Sequence, residues 1–181
     1  TFKPYAACLL THPVIDAARS LTDAVKGRDV ADIQIDVNPA CIKLAGKPRP
    51  TSGLEGKFST AYCAALGLSG HRATPTDFTS ERVGDPAIQA LLQQVNLTAD
   101  ENMDMRAAHM RVSFADGETL EAHTDMALGN PGNPMDWDDM RAKFMPMAEP
   151  VLGDKAETLF DLLRNASEDG QLEAINDILR R

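Results

Sequence analysis

The hydrophobic and polar positions near the start of the chain follow first a helical period and then a strand period. Apolar residues recur every three to four positions over residues 14–25, which predicts a helix that is capped by Thr11 and stops near Gly27. Residues 31–37 alternate apolar and polar side chains, and this period of two predicts a half-buried strand that ends at Pro39.

The middle of the chain is predicted to be mainly helical. Residues 54–68 are rich in Ala and Gly, which predicts a helix that packs closely against its neighbours on more than one side. Pro86 suits the first turn of a further helix, with Asp85 as its cap. Residues 95–97 are predicted to form a short strand.

The last third of the chain combines a hairpin with helices. Asp116-Gly117 separates two alternating runs, which is the strongest short-range signal for a β-hairpin. Asn133 is predicted to cap a helix that ends or kinks at Pro146. Two further helices are predicted over residues 155–164 and 171–179.

These elements together define the predicted fold class, which is α+β. The sheet is expected to be small and mostly antiparallel, with three or four strands, and to pack with about six helices. We expect a single domain over residues 1–181, because no internal repeat or low-complexity tract divides the sequence.

Charge and cysteine content narrow the classes of function. The chain of 181 residues has 18 Lys and Arg against 27 Asp and Glu, and the net charge of −9 argues against a basic footprint for nucleic acid or an anionic membrane. No apolar run approaches the length of a membrane-spanning helix, and no secretory leader is recognised. Three cysteines without a CxxC pair indicate a reduced compartment, so we expect a cytoplasmic protein.

The spacing of potential metal ligands along the sequence does not indicate a metal site. The four histidines are His12, His71, His109 and His123, and they form no HxH or HxxxH pair. Without a CxxC motif, the spacings that are typical of zinc and iron–sulfur sites are missing as well. The sequence therefore predicts no metal site.

Four residues that carry chemistry crowd the chain just before the first predicted helix: Lys3, Tyr5, Cys8 and His12. A helix start has unpaired N–H donors and a partial positive charge, so it suits a carboxylate or a phosphate, and Lys3 adds a full charge. In the alternative interpretation Lys3 is solvated while Tyr5 and Cys8 belong to the core. Proximity in sequence alone favours this structural alternative.

Four longer segments occur in an order that is typical of one protein family. They are FKPYAACLLTHPVIDAA, GLEGKFSTAYCAALGL, FTSERVGDPAIQALLQQVNL and DGETLEAHTDMALGNPGNPMDWDDMRAKF. Together they resemble the C-terminal domain of the MmgE/PrpD family over roughly residues 1–165. Each segment alone is moderately specific, and the conserved order of the four makes the resemblance strong.

The resemblance implies a function and partners. The 2-methylcitrate dehydratase-like members are hydro-lyases that act on a short polycarboxylate without a metal or another cofactor. Family members carry a larger helical N-terminal domain that supplies most of an interdomain active site, and nothing in this sequence resembles that domain. We therefore expect the chain, which starts at Thr1, to be the C-terminal part of a longer, homodimeric protein and to be inactive alone.

The resemblance assigns catalytic roles to Lys3 and Tyr62. Lys3 matches a lysine of the interdomain site, where an ammonium stabilises the charge that builds on a carboxylate as its α-proton leaves. Tyr62 matches a tyrosine whose phenol can donate a proton to a leaving hydroxyl. Since Phe58 lies one helical turn before Tyr62, the tyrosine is equally suited to the core.

The resemblance also implies substrate-binding roles for Cys8 and His12. Cys8 stands where decarboxylase members have a histidine, which is compatible with the dehydratase branch, and its alternative role is that of a small buried side chain. His12 either binds a substrate carboxylate or caps the first helix. Lys57 recurs in the family but lies about 140° from Tyr62 around a helix, so we expect an interdomain or surface cation there.

The resemblance leaves the type of reaction open. An epimerase or other isomerase of the same family also begins by abstracting a proton α to a carboxylate, so this part of the protein does not separate it from a dehydratase. A further alternative is a non-catalytic module for dimerisation or ligand binding.

Overall fold

A four-stranded sheet forms the centre of the first part of the chain. In the computed structural model, which describes residues 1–180, the strands lie in the order β2-β1-β3-β4. Their bounds are Val30–Val37 for β1, Val95–Ala99 for β2, Ala108–Phe114 for β3 and Thr119–Thr124 for β4. The predicted first strand, the short second strand and the hairpin are all confirmed.

The direction of β2 corrects the prediction of a mostly antiparallel sheet. β1 is antiparallel to β3, and β3 is antiparallel to β4, but β1 pairs with β2 in parallel, with Ile33 opposite Val95. The chain between β1 and β2 crosses over through helices α3 to α7, and a parallel pair requires such a long connection. The fold class is α+β as predicted, whereas the sheet is mixed.

Seven α-helices lie in the part of the chain that also forms the sheet, and several of them cover one face of the sheet. Their bounds are His12–Ser20 for α1, Thr22–Val25 for α2, Pro39–Ala45 for α3, Gly53–Gly56 for α4, Thr60–Leu68 for α5, Ser80–Val83 for α6 and Pro86–Leu92 for α7. Two short 3-10 helices lie at Leu9–Thr11 and Pro75–Asp77. The alternating residues Ile33, Ile35 and Val37 of β1 are fully buried in the core that forms between sheet and helices.

Helix α5 is buried along its whole length, in line with its Ala and Gly content. At Gly67 an added Cβ would lie 2.7 Å from the Cβ of Ala18, so this glycine lets α1 and α5 approach closely. The single helix predicted over residues 54–68 is divided into α4 and α5. Helix α5 begins after Ser59, whose side chain caps it by accepting a hydrogen bond from the Tyr62 amide at 3.1 Å.

The three predicted caps have different outcomes. Thr11 precedes α1, but its side chain makes no cap hydrogen bond and donates to the Cys8 carbonyl, so the prediction that it caps this helix is wrong. Asp85 caps α7 as predicted, and its carboxylate accepts from the Ala87 amide at 2.9 Å. The prediction that Asn133 caps a helix is wrong. The Asn133 side chain instead donates to the Met126 carbonyl at 2.9 Å and so closes the loop that follows β4.

The chain divides into two compact units, Thr1–Pro134 and the residues from Met135 onward. The second unit contains α8 at Trp137–Leu152, α9 at Lys155–Arg164 and α10 at Gln171–Leu179. The predictions for the last two helices are confirmed. That the whole of residues 1–181 forms one domain stays a prediction.

Helix α8 begins later than predicted and is not ended by its first proline. Asp136 and Asp139 form a reciprocal capping box, in which each carboxylate accepts from the other's amide, at 2.8 and 3.1 Å. The helix continues past Pro146 to Leu152, so of the two predicted alternatives the end at Pro146 is wrong, and a kink there stays a prediction. Side chains adjacent to this proline pack with Phe160 in an apolar cluster, and this packing offsets the backbone hydrogen bond that a proline cannot make.

Residues 1–180 contain ten α-helices rather than about six. Part of the difference comes from α2, α4 and α6, which have four residues each and are too short to display a helical period in the sequence. Among the helices of the described residues, none has the length and apolar character needed to cross a membrane.

Candidate functional site

The N-terminal segment, residues 1–12, is fixed by backbone hydrogen bonds to three distant parts of the first unit. The amide of Phe2 donates to Gly129, that of Ala6 to Ala73 and that of Cys8 to Lys57, each at 2.9 Å. Lys57 and Gly129 belong to two of the segments on which the family resemblance rests. The fold therefore brings three of those segments together in space.

Gly129 determines how the segment is attached. Its φ of 88° is a left-handed conformation, and an added Cβ would lie 2.1 Å from the carbonyl oxygen of Phe2. Only glycine allows the loop and the segment to lie this close. Asn130 supports the loop, since its side chain donates to the Ala127 carbonyl at 2.8 Å.

Lys3 is exposed on this segment, as its predicted role requires. Its Nζ donates to the Ala7 carbonyl at 3.1 Å. An ammonium has three N–H donors, and this bond uses one of them. The segment thus holds a cation at the surface in a defined position, where it can donate to a ligand carboxylate.

His12 lies behind Lys3 and is 1% exposed. Its Nε2 lies 3.4 Å from the Ala7 carbonyl, and because a carbonyl oxygen only accepts, Nε2 is the donor. The ring also packs edge-on against Tyr5 with 5.2 Å between the ring centroids. The structure therefore gives His12 a part in shaping the segment, and its predicted contact with substrate would need the ring to become accessible.

A partly buried polar network, which the sequence did not predict, joins the segment to α1. The Tyr5 hydroxyl donates to Asp16 and accepts from Arg19 at 3.3 Å. The other carboxylate oxygen of Asp16 accepts from the Leu128 amide at 2.8 Å. Burial, reinforced by the Asp16 charge, raises the pKa of Tyr5 well above its ordinary value, so the hydroxyl keeps its proton.

Cys8 is half-buried, and its carbonyl accepts from the Thr11 amide at 3.0 Å and from the Thr11 hydroxyl at 2.8 Å. Burial, with a further contribution from the nearby Cys8, raises the pKa of the Cys41 thiol to about 11 and that of the Cys63 thiol to about 12. Cys41 and Cys63 are therefore protonated and unreactive at neutral pH. The fold brings Cys8 close to both, which their separation in sequence does not indicate.

Tyr62 lies fully inside the core rather than at the surface with Lys3. Its hydroxyl donates to the Asp77 carbonyl at 2.7 Å, and its ring packs edge-on against Phe78. Burial raises the pKa of Tyr62 above its ordinary value. The hydroxyl is thus satisfied by the protein, and its predicted transfer of a proton to substrate would require this part of the core to open.

Lys57 adjoins the segment through its backbone, which accepts from the Cys8 amide. Its side chain extends toward Phe78, with Nζ 5.9 Å from the ring centroid. The role of Lys57 as an interdomain or surface cation stays a prediction.

A pocket of about 400 Å³ opens beside the polar network, between α1 and the loop after β4. Its walls include Asp16, His123, Asp125 and Asn133. Two carboxylates in the wall make this pocket unsuitable for a polyanion. The exposed Lys3 supplies a positive charge on the N-terminal segment instead.

The mixed sheet with its helical layer defines an α+β fold. Comparison with known families identifies it further. The chain belongs to the MmgE/PrpD family, because the family's model of the MmgE/PrpD C-terminal domain matches residues 5–169. The match includes Cys8, His12 and Tyr62 and begins two residues after Lys3. No curated protein matches the chain.

Proposed function

We propose that this chain is the C-terminal part of a hydro-lyase that dehydrates a short polycarboxylate such as 2-methylcitrate without a metal. Membership of the MmgE/PrpD family is compatible with a dehydratase-like role. The observation that carries the proposal is the exposed Lys3 ammonium, which lies on a segment whose backbone is held by the bonds of Phe2 and Cys8.

The charge of Lys3 supplies the chemistry that this reaction needs from the domain. Removal of a proton α to a carboxylate builds negative charge on that carboxylate, and a fixed ammonium stabilises this charge more in the transition state than in the ground state. The accessible Lys3 serves this role, while the buried Tyr62 favours a contribution through charge over one through proton transfer. The base and the remaining carboxylate contacts belong, in this proposal, to a helical N-terminal domain.

Exposed apolar side chains support a partner domain on this side of the unit. Leu9 and Phe58 are 43% and 47% exposed, and each adjoins one member of the Cys8–Lys57 backbone pair. Phe2 and Leu54 are exposed as well. Apolar patches of this kind mark interaction surfaces, so we propose that the N-terminal domain of the complete, dimeric protein covers them.

The test is a comparison of two lysines in the complete protein. Lys3→Ala is expected to lower kcat/KM by roughly a hundredfold, or about 3 kcal/mol, whereas the matched control Lys57→Ala keeps most of the activity. Lys3→Arg should restore little, because a guanidinium differs in shape from a compact ammonium. Near-wild-type kinetics of Lys3→Ala, with circular dichroism confirming the fold, would contradict the assignment.

The same assay separates the reactions within the family. A dehydratase produces an unsaturated acid, which absorbs in the ultraviolet. An epimerase instead exchanges the α-proton with solvent deuterium without that absorbance, and a non-catalytic module gives neither signal. We expect the first result for the complete protein and no turnover by residues 1–181 alone.

A further inference from the structure

The face of the sheet that points away from the helices carries a cluster of metal-binding side chains. On β3 the residues at 108, 110, 112 and 114 are buried in the core, so His109 and Arg111 lie on the opposite face. The register of the hairpin places His123 directly opposite His109 and Glu121 directly opposite Arg111. Two imidazoles and a carboxylate therefore share one face of two neighbouring strands.

The donor atoms of this cluster converge. The two imidazole rings stack with centroids 4.0 Å apart. Oε2 of Glu121 lies 3.6 Å from Nε2 of His109 and 4.0 Å from Nε2 of His123. One donor atom from each of the three residues lies within 4.8 Å of the other two. This set of two imidazoles and one carboxylate suits a divalent transition-metal ion.

A second observation concerns the two ring nitrogens of His109. Its Nδ1 lies 3.3 Å from a carboxylate oxygen of Asp36 on β1, whereas its Nε2 is buried and has no hydrogen-bond partner among residues 1–180. A carboxylate at Nδ1 orients the ring, as in carboxylate–histidine–zinc arrangements, and Nε2 then faces the Glu121 carboxylate.

The surroundings leave room for an ion. Arg111 donates to Oε1 of Glu121 at 2.8 Å, which leaves Oε2 on the side of the histidines. His123 is 62% exposed and lines the 400 Å³ pocket, so solvent reaches the cluster.

We propose that His109, Glu121 and His123 bind a divalent transition-metal ion of the Zn²⁺ type, with Asp36 orienting His109. Two imidazole nitrogens on a tetrahedral Zn²⁺ lie about 3.4 Å apart, so binding requires a small contraction and a turn of the exposed His123 ring out of its stacked position. Solvent completes the coordination. The proposal goes beyond the proposed function and assigns the ion no part in dehydration.

Zinc binding by the complete, untagged protein tests the proposal. Isothermal titration with Zn²⁺ counts the bound equivalents, and the imidazole proton resonances identify the histidines involved. His109→Gln and His123→Gln are each expected to lose one equivalent or to bind it at least tenfold more weakly. Asp36→Asn is expected to weaken the same equivalent by about 10–100-fold.

Two control variants make the result specific. His71→Gln removes a histidine that also pairs with a carboxylate, Asp77, but lacks a second imidazole beside it, and it should keep every equivalent. Cys8→Ser removes the half-buried thiol and should also leave binding unchanged. Circular dichroism shows whether each variant is folded. Because the His123 side chain is exposed, His123→Gln is expected to disturb the fold little.

Three outcomes would overturn the proposal. The first is that the wild-type protein binds no Zn²⁺. The second is that a folded His123→Gln variant binds as the wild type does, which would indicate that His109 is simply an imidazolium between two carboxylates. The third is that Cys8→Ser, and not His123→Gln, loses the equivalent, which would place the ion on a thiol.

Discussion

The N-terminal segment and helix α5 are held in the first unit in different ways. Backbone amides attach the segment to distant loops, and side chains such as Phe2 and Lys3 remain at the surface. In α5 every side chain is buried, including Tyr62, whose hydroxyl is bonded to the protein itself. The difference teaches that residues matched to one active site in sequence need not be equally available to a ligand.

This difference separates two kinds of mutational effect. A change in α5 acts on packing and should appear in the free energy of unfolding, with activity following the fraction of folded protein. A change at an exposed side chain of the segment, such as Lys3, acts where few contacts hold the side chain, so it should appear in kinetics. A substitution in α5 that changes kinetics without changing stability, or one at an exposed side chain of the segment that changes only stability, would contradict this difference between the two regions.

Tyr62→Ala is expected to have the largest effect on stability. Loss of a fully buried aromatic ring costs about 3–5 kcal/mol, here because the ring packs on Phe78 and its hydroxyl bonds to Asp77. Denaturant unfolding measures this change.

Tyr62→Phe tests whether Tyr62 also takes part in the reaction. It should cost about 1–3 kcal/mol of stability, because it leaves the Asp77 carbonyl unsatisfied, and should leave kcat near that of the wild type. A large loss of kcat in a folded Phe variant would show that the phenol reaches the substrate after all.

Gly129→Ala is expected to have the next largest effect, on the attachment of the segment. A Cβ there would meet the Phe2 carbonyl, while Gly117 has nearly the same φ and nothing within 4 Å of an added Cβ. Gly117→Ala is thus a control for backbone strain alone, which costs about 1 kcal/mol. We expect Gly129→Ala to cost about 1–3 kcal/mol more and to speed proteolysis of the segment. Equal unfolding energies for the two variants would mean that this contact contributes nothing.

Gly67→Ala should have a smaller effect, on the packing of α5 against α1. Overpacking against Ala18 costs about 1–3 kcal/mol, and the higher helix propensity of alanine offsets about 1 kcal/mol of it. Gly84→Ala, where the nearest atoms lie at an ordinary 3.5 Å, provides the control. Thermal unfolding of both variants gives the comparison, and a more stable Gly67→Ala protein would contradict close packing of the two helices.

The sequence predicts local features of the fold better than long-range ones. The bounds of α9 and α10 follow from amphipathic patterns that each helix contains in full. The parallel pairing of β1 with β2 depends on a crossover through five helices, which no local pattern encodes. Asn133 is an acceptable cap by residue type, and only its bond to Met126 shows that the loop uses it otherwise.

The same limit applies to the candidate sites. The exposed position of Lys3 agrees with the sequence analysis. Asp16, in contrast, accepts from both the Tyr5 hydroxyl and the Leu128 amide, and it so joins three regions that share no spacing signal. The cluster on the open face of the sheet escaped a search for HxH and HxxxH because its ligands lie on two strands. Strand register, rather than spacing along the chain, brings His109 and His123 together.

Lys3→Ala should have the smallest effect on stability of the substitutions considered. The side chain is exposed, and without its bond the Ala7 carbonyl still has Nε2 of His12 at 3.4 Å. Surface substitutions of this kind change the free energy of unfolding by less than about 0.5 kcal/mol. Denaturant titration of Lys3→Ala beside the wild type checks this value, with Lys57→Ala as the matched lysine.

A loss above about 1 kcal/mol would mean that Lys3 holds the segment in place, and a slower reaction would then report structure rather than charge. An unchanged unfolding energy together with a hundredfold loss of kcat/KM would assign the effect to the ammonium itself.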